Sequence, residues 1–170
     1  MKLHPVDFQT LTPEVFTVFG VNNALLTAGD RSGCNTMTIG WCQLGRVWNR
    51  PTCTVFVRPE RYTYQFMESG DYFTVSVLPQ SFRKTMAFCG TKSGREIDKI
   101  KECGLTLCYG VGEAPFIEEA EWVLVCRKLY AQDMVADCAL DGERVLSYYG
   151  EKGGWHRMYV GEVVEAYQKE

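Results

Sequence analysis

The hydrophobic and polar positions of this chain alternate over short segments, a pattern typical of β-strands. Between residues 72 and 78, the apolar Phe73, Val75 and Val77 fall on one side of the predicted strand, and a period of two indicates a half-buried strand. β-Branched and apolar runs predict further strands over 24–28, 35–41, 52–57, 105–109, 120–130, 145–149 and 158–167, with a short one at 15–19. About eight or more strands with regular turn signals favour an antiparallel barrel or sandwich over a doubly wound sheet.

Helices are predicted to be few and short. Thr63 is a suitable N-cap for a helix over 64–68, because its hydroxyl can accept a hydrogen bond from a free backbone N–H group. Ser81 offers the same cap to a second helix over 82–89, in which apolar residues recur at helical spacing. The charged stretch 96–102 predicts a third helix.

Clusters of glycine, proline and small polar residues predict the turns. Gly29 and Gly33 enclose a polar centre, and they predict a hairpin with one of the longer loops between the first two strands. Similar clusters predict loops over 43–51, 89–95, 110–115 and 150–156. The loop over 110–115 is not a dinucleotide-binding fingerprint, because it lacks the third glycine and the strand–helix frame.

The size and charge of the chain limit its organisation and its partners. With 170 residues, 46% of them hydrophobic and 23% charged, the chain is predicted to form a single domain over 1–170. A net charge of −3 provides no basic field for nucleic acid. No apolar run approaches the roughly 20 residues that span a bilayer, and no signal peptide pattern is present. We therefore expect a cytoplasmic protein that binds neither nucleic acid nor membrane.

The chain contains eight cysteines. No pair has the C-x-x-C spacing of zinc or thioredoxin-like sites. Several cysteines lie within apolar runs, and we interpret them as buried free thiols in a reducing compartment. Their positions are Cys34, Cys42, Cys53, Cys89, Cys103, Cys108, Cys126 and Cys138.

Common catalytic and metal-binding motifs are missing from the sequence. His4 and His156 are the only histidines, and no spacing with cysteine or acidic residues predicts a metal site. Neither a G-x-S-x-G nucleophile motif nor a G-x-x-x-x-G-K-[ST] phosphate-binding motif occurs. We assign no catalytic acid, base or nucleophile.

Two segments place cations beside hydroxyl groups, which is a combination suited to an anion. Arginine offers a planar fork of donors to phosphate, and a helix start offers free N–H groups. If the two segments converge they form an anion pocket, whereas for each residue taken alone an exposed salt pair is the better interpretation. The first segment has Arg58, Arg61, Tyr62 and Thr63, and the second has Thr91, Lys92, Ser93 and Arg95.

The strand over 35–41 is polar at its start and carries Met37 and Trp41. These two side chains are either core residues or faces for a flat aromatic ring. A polar strand for a ring and a basic strand end for a phosphate would together hold a nucleotide-like cofactor.

Several segments of the chain, in order, resemble the flavin reductase-like, FMN-binding split-barrel family, and within it the flavoredoxins. The likeness covers most of the chain from about residue 24 onward. The segments that carry it are 35–41, 57–63, 73–76, 89–99, 114–120 and 156–163.

The resemblance implies a mainly β fold, a six-stranded antiparallel split barrel with a few short peripheral helices. It also implies a homodimer that holds FMN non-covalently near the subunit interface. Residues implied to contact the isoalloxazine ring are Asn35, Thr36, Met37 and Thr38, with Trp41 close by. Residues implied to bind the ribityl phosphate are Arg58, Arg61, Tyr62, Thr63, Lys92 and Ser93, while His156 would close over the flavin.

Three functions are compatible with the resemblance. The first is an enzyme in which NADH or NADPH reduces FMN by hydride transfer and the electrons pass to an acceptor. The second is a carrier in which permanently bound FMN shuttles electrons between redox proteins. The third is a split barrel that has lost flavin binding, an alternative that the cations and hydroxyls in both segments disfavour.

Overall fold

The structure is a computed structural model that describes residues 3–11, 14–150 and 154–169. The strands of these ranges are β1 Leu3–Pro5, β2 Ala24–Asp30, β3 Gly33–Ile39, β4 Cys42–Val47, β5 Arg50–Val57, β6 Tyr72–Val77, β7 Leu107–Tyr109, β8 Pro115–Ile117, β9 Trp122–Asp133 and β10 Arg157–Lys169. The helices are α1 Val15–Thr17, α2 Thr63–Ser69, α3 Arg83–Thr91, α4 Lys99–Glu102 and α5 Gly142–Leu146. Within these ranges, no helix is both long and apolar enough to cross a membrane.

One antiparallel sheet forms the frame of the molecule. Its strand order is β3-β2-β6-β9-β10-β5-β4, with β1 also paired to β10, and β7 and β8 form a separate ribbon. The predicted mainly β, antiparallel fold is confirmed, although the main sheet has eight strands in the described ranges where the resemblance implied six. Strand β10 bends through register shifts at Val160/Gly161 and Val163/Glu165, and such bulges increase the curvature of a sheet.

Two apolar clusters hold the sheet in place. Phe73, Val75 and Val77 lie in the inner cluster, as their alternation predicted, and Leu25 and Val123 lie in the outer one. The outer cluster packs the sheet against α3, α4 and the β7–β8 ribbon. Burial of this apolar surface is the main favourable term in folding.

Two hairpins differ from the predicted loops. The first hairpin is confirmed, but β2 and β3 extend to Asp30 and Gly33, so only two residues connect them instead of a longer loop. The Asp30 carboxylate tightens that turn by accepting from the Ser32 N–H at 2.7 Å. The predicted loop over 43–51 was wrong, because β4 and β5 pair there around a turn at Trp48 and Asn49 with φ of 51° and 58°. Positive φ at both positions is typical of a type I′ hairpin.

Two predicted strands were wrong and are helical. The segment 15–19 begins α1 and continues into a π-helical turn over Val18–Asn22. The segment 145–149 contains the end of α5 and the turn that follows it. An Asp141 side chain that accepts from the Arg144 N–H at 3.3 Å caps the start of this helix. β-Branched and aromatic residues favour a strand only when a neighbouring strand is available for packing.

The predicted helix caps were also partly wrong. Thr63 lies inside the first turn of α2 and Ser81 lies in a short 3-10 turn, and neither caps a helix through its side chain. The third helix begins at Lys99 instead of residue 96, because Asp98 caps it by accepting from the Lys101 N–H at 3.1 Å.

Candidate functional site

Two adjoining cavities form a groove along strand β3. The first, which we call the basic cavity, has a volume of about 210 Å³. The second, the aromatic cavity, has a volume of about 430 Å³. Both are lined by Met37, Arg58 and Arg61, so they are neighbours, and we refer to them together as the groove.

Strand β3 and helix α2 position the floor of the basic cavity. The Asn35 side chain is buried, and its Nδ2 donates to Thr63 Oγ1 at 2.7 Å and to the Thr36 carbonyl at 3.2 Å. The Thr63 hydroxyl was predicted to cap helix α2, but it instead accepts a hydrogen bond from the Asn35 side chain. Because side chains alternate along a strand, Thr36 faces the opposite side, where Thr27 donates to its hydroxyl at 3.0 Å.

A glycine closes this floor against the loop that follows α3. A Cβ atom at Gly94 would lie 2.0 Å from Asn35 Oδ1 and 2.8 Å from Tyr62 Cδ1. Only glycine lets the loop backbone approach this closely. The loop places Lys92 and Ser93 on the wall of the basic cavity.

The cations of the basic cavity come from the segment after β5, from Lys92 in the loop after α3, and from helix α4. Arg61 Nη1 donates to the Gly90 carbonyl at 3.2 Å, and Arg58 lies 3.8 Å from the Glu60 carboxylate. Lys99 is only 4% exposed, and its Nζ donates to the Cys89 carbonyl at 3.2 Å. Burial lowers the pKa of Lys99, because the low dielectric disfavours the charged form. A buried ammonium on a cavity wall is a strong potential partner for an anion.

Aromatic side chains and a histidine line the other end of the groove. The Trp41 ring is 4.6 Å from that of His156 and 5.8 Å from that of Tyr148, centroid to centroid. The Tyr149 hydroxyl lies 3.0 Å from His156 Nδ1. Burial, together with the charges of Arg58 and Arg61, lowers the pKa of His156 to about 4. The imidazole is therefore neutral at pH 7.

The family of the chain follows from its sequence match. Residues 17–170 match the family described as Flavin reductase like domain. The chain belongs to this family. The flavin reductase-like domain accounts for all of the groove, since the most N-terminal residue that lines it is Asn35.

Solved structures similar to this flavin reductase-like domain have the same fold. A flavoredoxin from Methanosarcina acetivorans is 25% identical with a TM-score of 0.70, covering 88% of this chain and 69% of its own. An FMN-binding protein from Thermus thermophilus is 21% identical with a TM-score of 0.69, and the match covers 87% of this chain and 71% of that protein. A split-barrel protein of the flavin reductase type from Shewanella frigidimarina NCIMB 400 is 18% identical with a TM-score of 0.67, and the match covers 95% of this chain and 77% of that protein. Comparison with curated protein sequences found no significant match.

The groove of the flavin reductase-like domain brings the predicted side chains together, with one exception. Thr36 is fully buried in the sheet, so only its backbone can face the groove. The side chains that line the groove are Asn35, Met37, Thr38, Trp41, Arg58, Arg61, Tyr62, Thr63, Lys92, Ser93 and His156. Residues of the two segments that place cations beside hydroxyl groups therefore line one cavity, and that this cavity binds an anion stays a prediction.

The sequence interpretation missed Lys99, Tyr148 and Tyr149. Lys99 stands in a run of mixed charges that predicted a solvated helix, although it directly follows a capping aspartate. Tyr148 and Tyr149 were placed in a predicted strand, and their contacts with Trp41 and His156 depend on tertiary structure.

Proposed function

We propose that this flavin reductase-like domain binds FMN non-covalently in the groove and passes electrons from NADH or NADPH to an acceptor. The observation that carries the proposal is the position of the buried Lys99 ammonium and two arginines beside a cavity walled by Trp41 and His156. FMN has a phosphate and a flat ring joined by a flexible chain, and these two groups match the basic cavity and the aromatic cavity, respectively. Membership of the family and the similarity to an FMN-binding protein support this assignment.

The basic cavity would hold the phosphate. Arg58 and Arg61 offer guanidinium donors, which form charge-assisted hydrogen bonds to phosphate oxygens. The Thr63 hydroxyl accepts a hydrogen bond from Asn35 and can still donate its own O–H proton to the phosphate. Lys99 is shielded from solvent, and charge attraction is stronger where the dielectric is low.

The aromatic cavity would hold the ring. Met37 and Trp41 offer soft, flat surfaces, and strand β3 offers backbone groups to the polar edge. When bound, FMN supplies the redox chemistry, whereas the protein contributes binding, orientation and electrostatics. Neutral His156 adds no further positive charge to this end. No side chain is needed as a general acid or base, so we assign none.

A second candidate function is an electron carrier. The similarity to a flavoredoxin of Methanosarcina acetivorans favours it, and a carrier would exchange electrons with redox proteins without using NADH or NADPH directly. For either function we propose a cytoplasmic homodimer with FMN near the subunit interface. The exposure of Phe16 (93%) and Trp41 (40%) close to the groove supports an interface there.

The test is an absorption spectrum of the purified protein followed by anaerobic addition of NADH and NADPH. Absorption bands at about 370 and 450 nm are expected for bound flavin. Prompt bleaching by either nicotinamide nucleotide would support the oxidoreductase, and bleaching only through a reduced partner protein would support the carrier. A colourless protein that takes up no added FMN would refute both.

A further inference from the structure

Two cysteines lie at the ends of the segment that walls one side of the basic cavity. Cys89 is in helix α3, and Cys103 directly follows helix α4. Between them lie Lys92, which lines the cavity, and the buried Lys99. We call residues 89–103 the cysteine-bounded segment. A bond that joined its two ends would act on both of these cations.

Helix α4 directs the Cys103 side chain towards Cys89. The Cys103 N–H donates to the Lys99 carbonyl at 3.1 Å, so Cys103 lies one turn after Lys99 and on the same face of the helix. From that face the Lys99 ammonium donates to the Cys89 carbonyl at 3.2 Å. Cys103 packs against the outer apolar cluster, to which Cys89 belongs. The two thiols are close enough to share a hydrogen bond.

The two thiols differ in their access to solvent. Cys89 is buried, whereas Cys103 is partly exposed. Burial, followed by the neighbouring Cys103 thiol, raises the pKa of Cys89 to about 12, and the Lys99 ammonium partly opposes this rise. Because the thiolate is the reactive form of cysteine, a dissolved oxidant reacts first with Cys103, and Cys89 is placed to react with the product.

A second pair of thiols is in contact but is poorly placed for a disulfide. Cys42 Sγ lies 3.5 Å from Cys53 Sγ, but Cys53 lies opposite Leu44 in the β4–β5 ladder. The two cysteines are therefore diagonal neighbours, whose Cα atoms are about 7–8 Å apart, and a disulfide needs about 6.8 Å or less. Cys103 is outside any sheet and is followed by Gly104, at which a Cβ atom would meet nothing within 4 Å. The backbone there has room to move.

We propose that Cys89 and Cys103 form a reversible disulfide that fixes the cysteine-bounded segment and thereby sets how firmly the basic cavity holds the flavin phosphate. The effect on FMN rests on the proposed function, whereas the disulfide itself does not. Disulfides in reducing compartments are usually transient and respond to redox conditions.

Hydrogen peroxide is the oxidant. The Cys103 thiolate attacks one peroxide oxygen, so that an S–O bond forms as the O–O bond breaks, and the hydroxide that leaves takes up the thiol proton as water. The Cys89 sulfur then attacks the Cys103 sulfur. An S–S bond forms, the S–O bond breaks, and the second hydroxide takes up the Cys89 proton. Two thiols and one peroxide thus give one disulfide and two waters, and two electrons pass from the sulfurs to the peroxide.

The disulfide is expected to strengthen FMN binding. Since the thiols are already in contact, bond formation leaves Lys92 and Lys99 close to their present positions. The bond reduces the freedom of the segment in the flavin-free protein, and a preorganised loop costs less to order when a ligand binds. If one residue fewer has to be ordered, affinity rises about tenfold.

The test compares reduced and peroxide-treated protein, both free of flavin. Remaining thiols are alkylated, and mass spectrometry is expected to find a link between Cys89 and Cys103 that dithiothreitol reverses. Amide hydrogen exchange over residues 90–98 should slow in the oxidised protein. The dissociation constant of FMN, measured by flavin fluorescence, should fall about tenfold.

Cys103→Ser is the test variant, because Cys103 is partly exposed and serine is similar in size. It should form no link, and peroxide should leave its FMN affinity unchanged. Cys108→Ser is the matched control, since Cys108 is another partly exposed cysteine beside the outer cluster and lines neither cavity of the groove. It should respond to peroxide as the unmodified protein does.

The outcomes separate this inference from the proposed function. A link between Cys42 and Cys53 instead, or oxidation of Cys103 to a sulfinic acid without a link, would overturn the disulfide. A link between Cys89 and Cys103 that leaves hydrogen exchange unchanged, or that weakens FMN binding, would overturn its role in fixing the segment. If the link forms and slows exchange but neither form binds FMN, the disulfide is supported, whereas the proposed function and the effect on FMN are refuted.

Discussion

Replacing Lys99 by methionine tests the phosphate end of the groove most directly. Lys99 is 4% exposed and its ammonium donates to the Cys89 carbonyl beside the basic cavity. A hydrogen bond to a charged group contributes about 1.5–3 kcal/mol, and 1.4 kcal/mol corresponds to a tenfold change in affinity. Lys99→Met should therefore weaken FMN binding by about 10- to 150-fold. Methionine retains the length and apolar stem of lysine, so the cavity should keep its shape.

The assay compares FMN with riboflavin, which has the same ring but no phosphate. Riboflavin affinity should stay within twofold in Lys99→Met, because the ring end of the groove is untouched. Lys84→Met is the control, since Lys84 is an exposed lysine of α3 outside the groove. A loss of FMN affinity smaller than threefold, or an equal loss for riboflavin, would refute the assignment of Lys99 to the phosphate.

Three further predictions concern packing, pH and thiol chemistry. Gly94→Ala should destabilise the protein by about 1–3 kcal/mol in chemical unfolding and weaken FMN binding, because the new methyl group meets the Asn35 side chain. Unchanged stability would contradict the tight packing. The pKa of His156 is about 4 when folded and 6.5 when unfolded, so its contribution to stability is complete above pH 6.5 and is lost as the pH falls towards 4. Between pH 6.5 and 4, the free energy of unfolding of His156→Gln should vary less with pH than that of the unmodified protein. Identical pH profiles for the two proteins would refute this role of His156. A thiol reagent should modify exposed Cys138 first under native conditions and all eight cysteines after denaturation; fewer than eight would contradict free thiols.

The strands that the sequence predicted best are those with a strong local pattern. Strand β6 alternates cleanly, and β9 and β10 are long strands that contain apolar runs, so their positions were predicted to within a few residues. The β4–β5 hairpin was missed because its turn is formed by Trp48 and Asn49, whose positive φ values have no strong sequence signal without a glycine. The segment 145–149 was misassigned because a capping aspartate upstream outweighed its strand-like composition.

The residues of the candidate site that could be predicted from the sequence lie on a strand or just after the end of one. Arg58 and Arg61 follow the end of β5, and Asn35 and Met37 lie on β3. Their residue types, together with the family resemblance, were enough to predict that they share one site, and they line one cavity. Lys99 could not be predicted in the same way, because its burial depends on how α4 packs against β3 and brings the ammonium to the Cys89 carbonyl of α3. A charge that is solvated in the isolated segment is buried only in the folded molecule.

The walls of the groove come from parts of the chain that are far apart in sequence, namely 35–41, 56–63, 89–99 and His156. A ligand that contacts all of them acts as a non-covalent cross-link in the native state alone. Bound at 100 times its dissociation constant, it would add about 2.7 kcal/mol to the free energy of unfolding. Resistance to proteolysis, and hence the amount of protein that a cell retains, would then follow the supply of flavin.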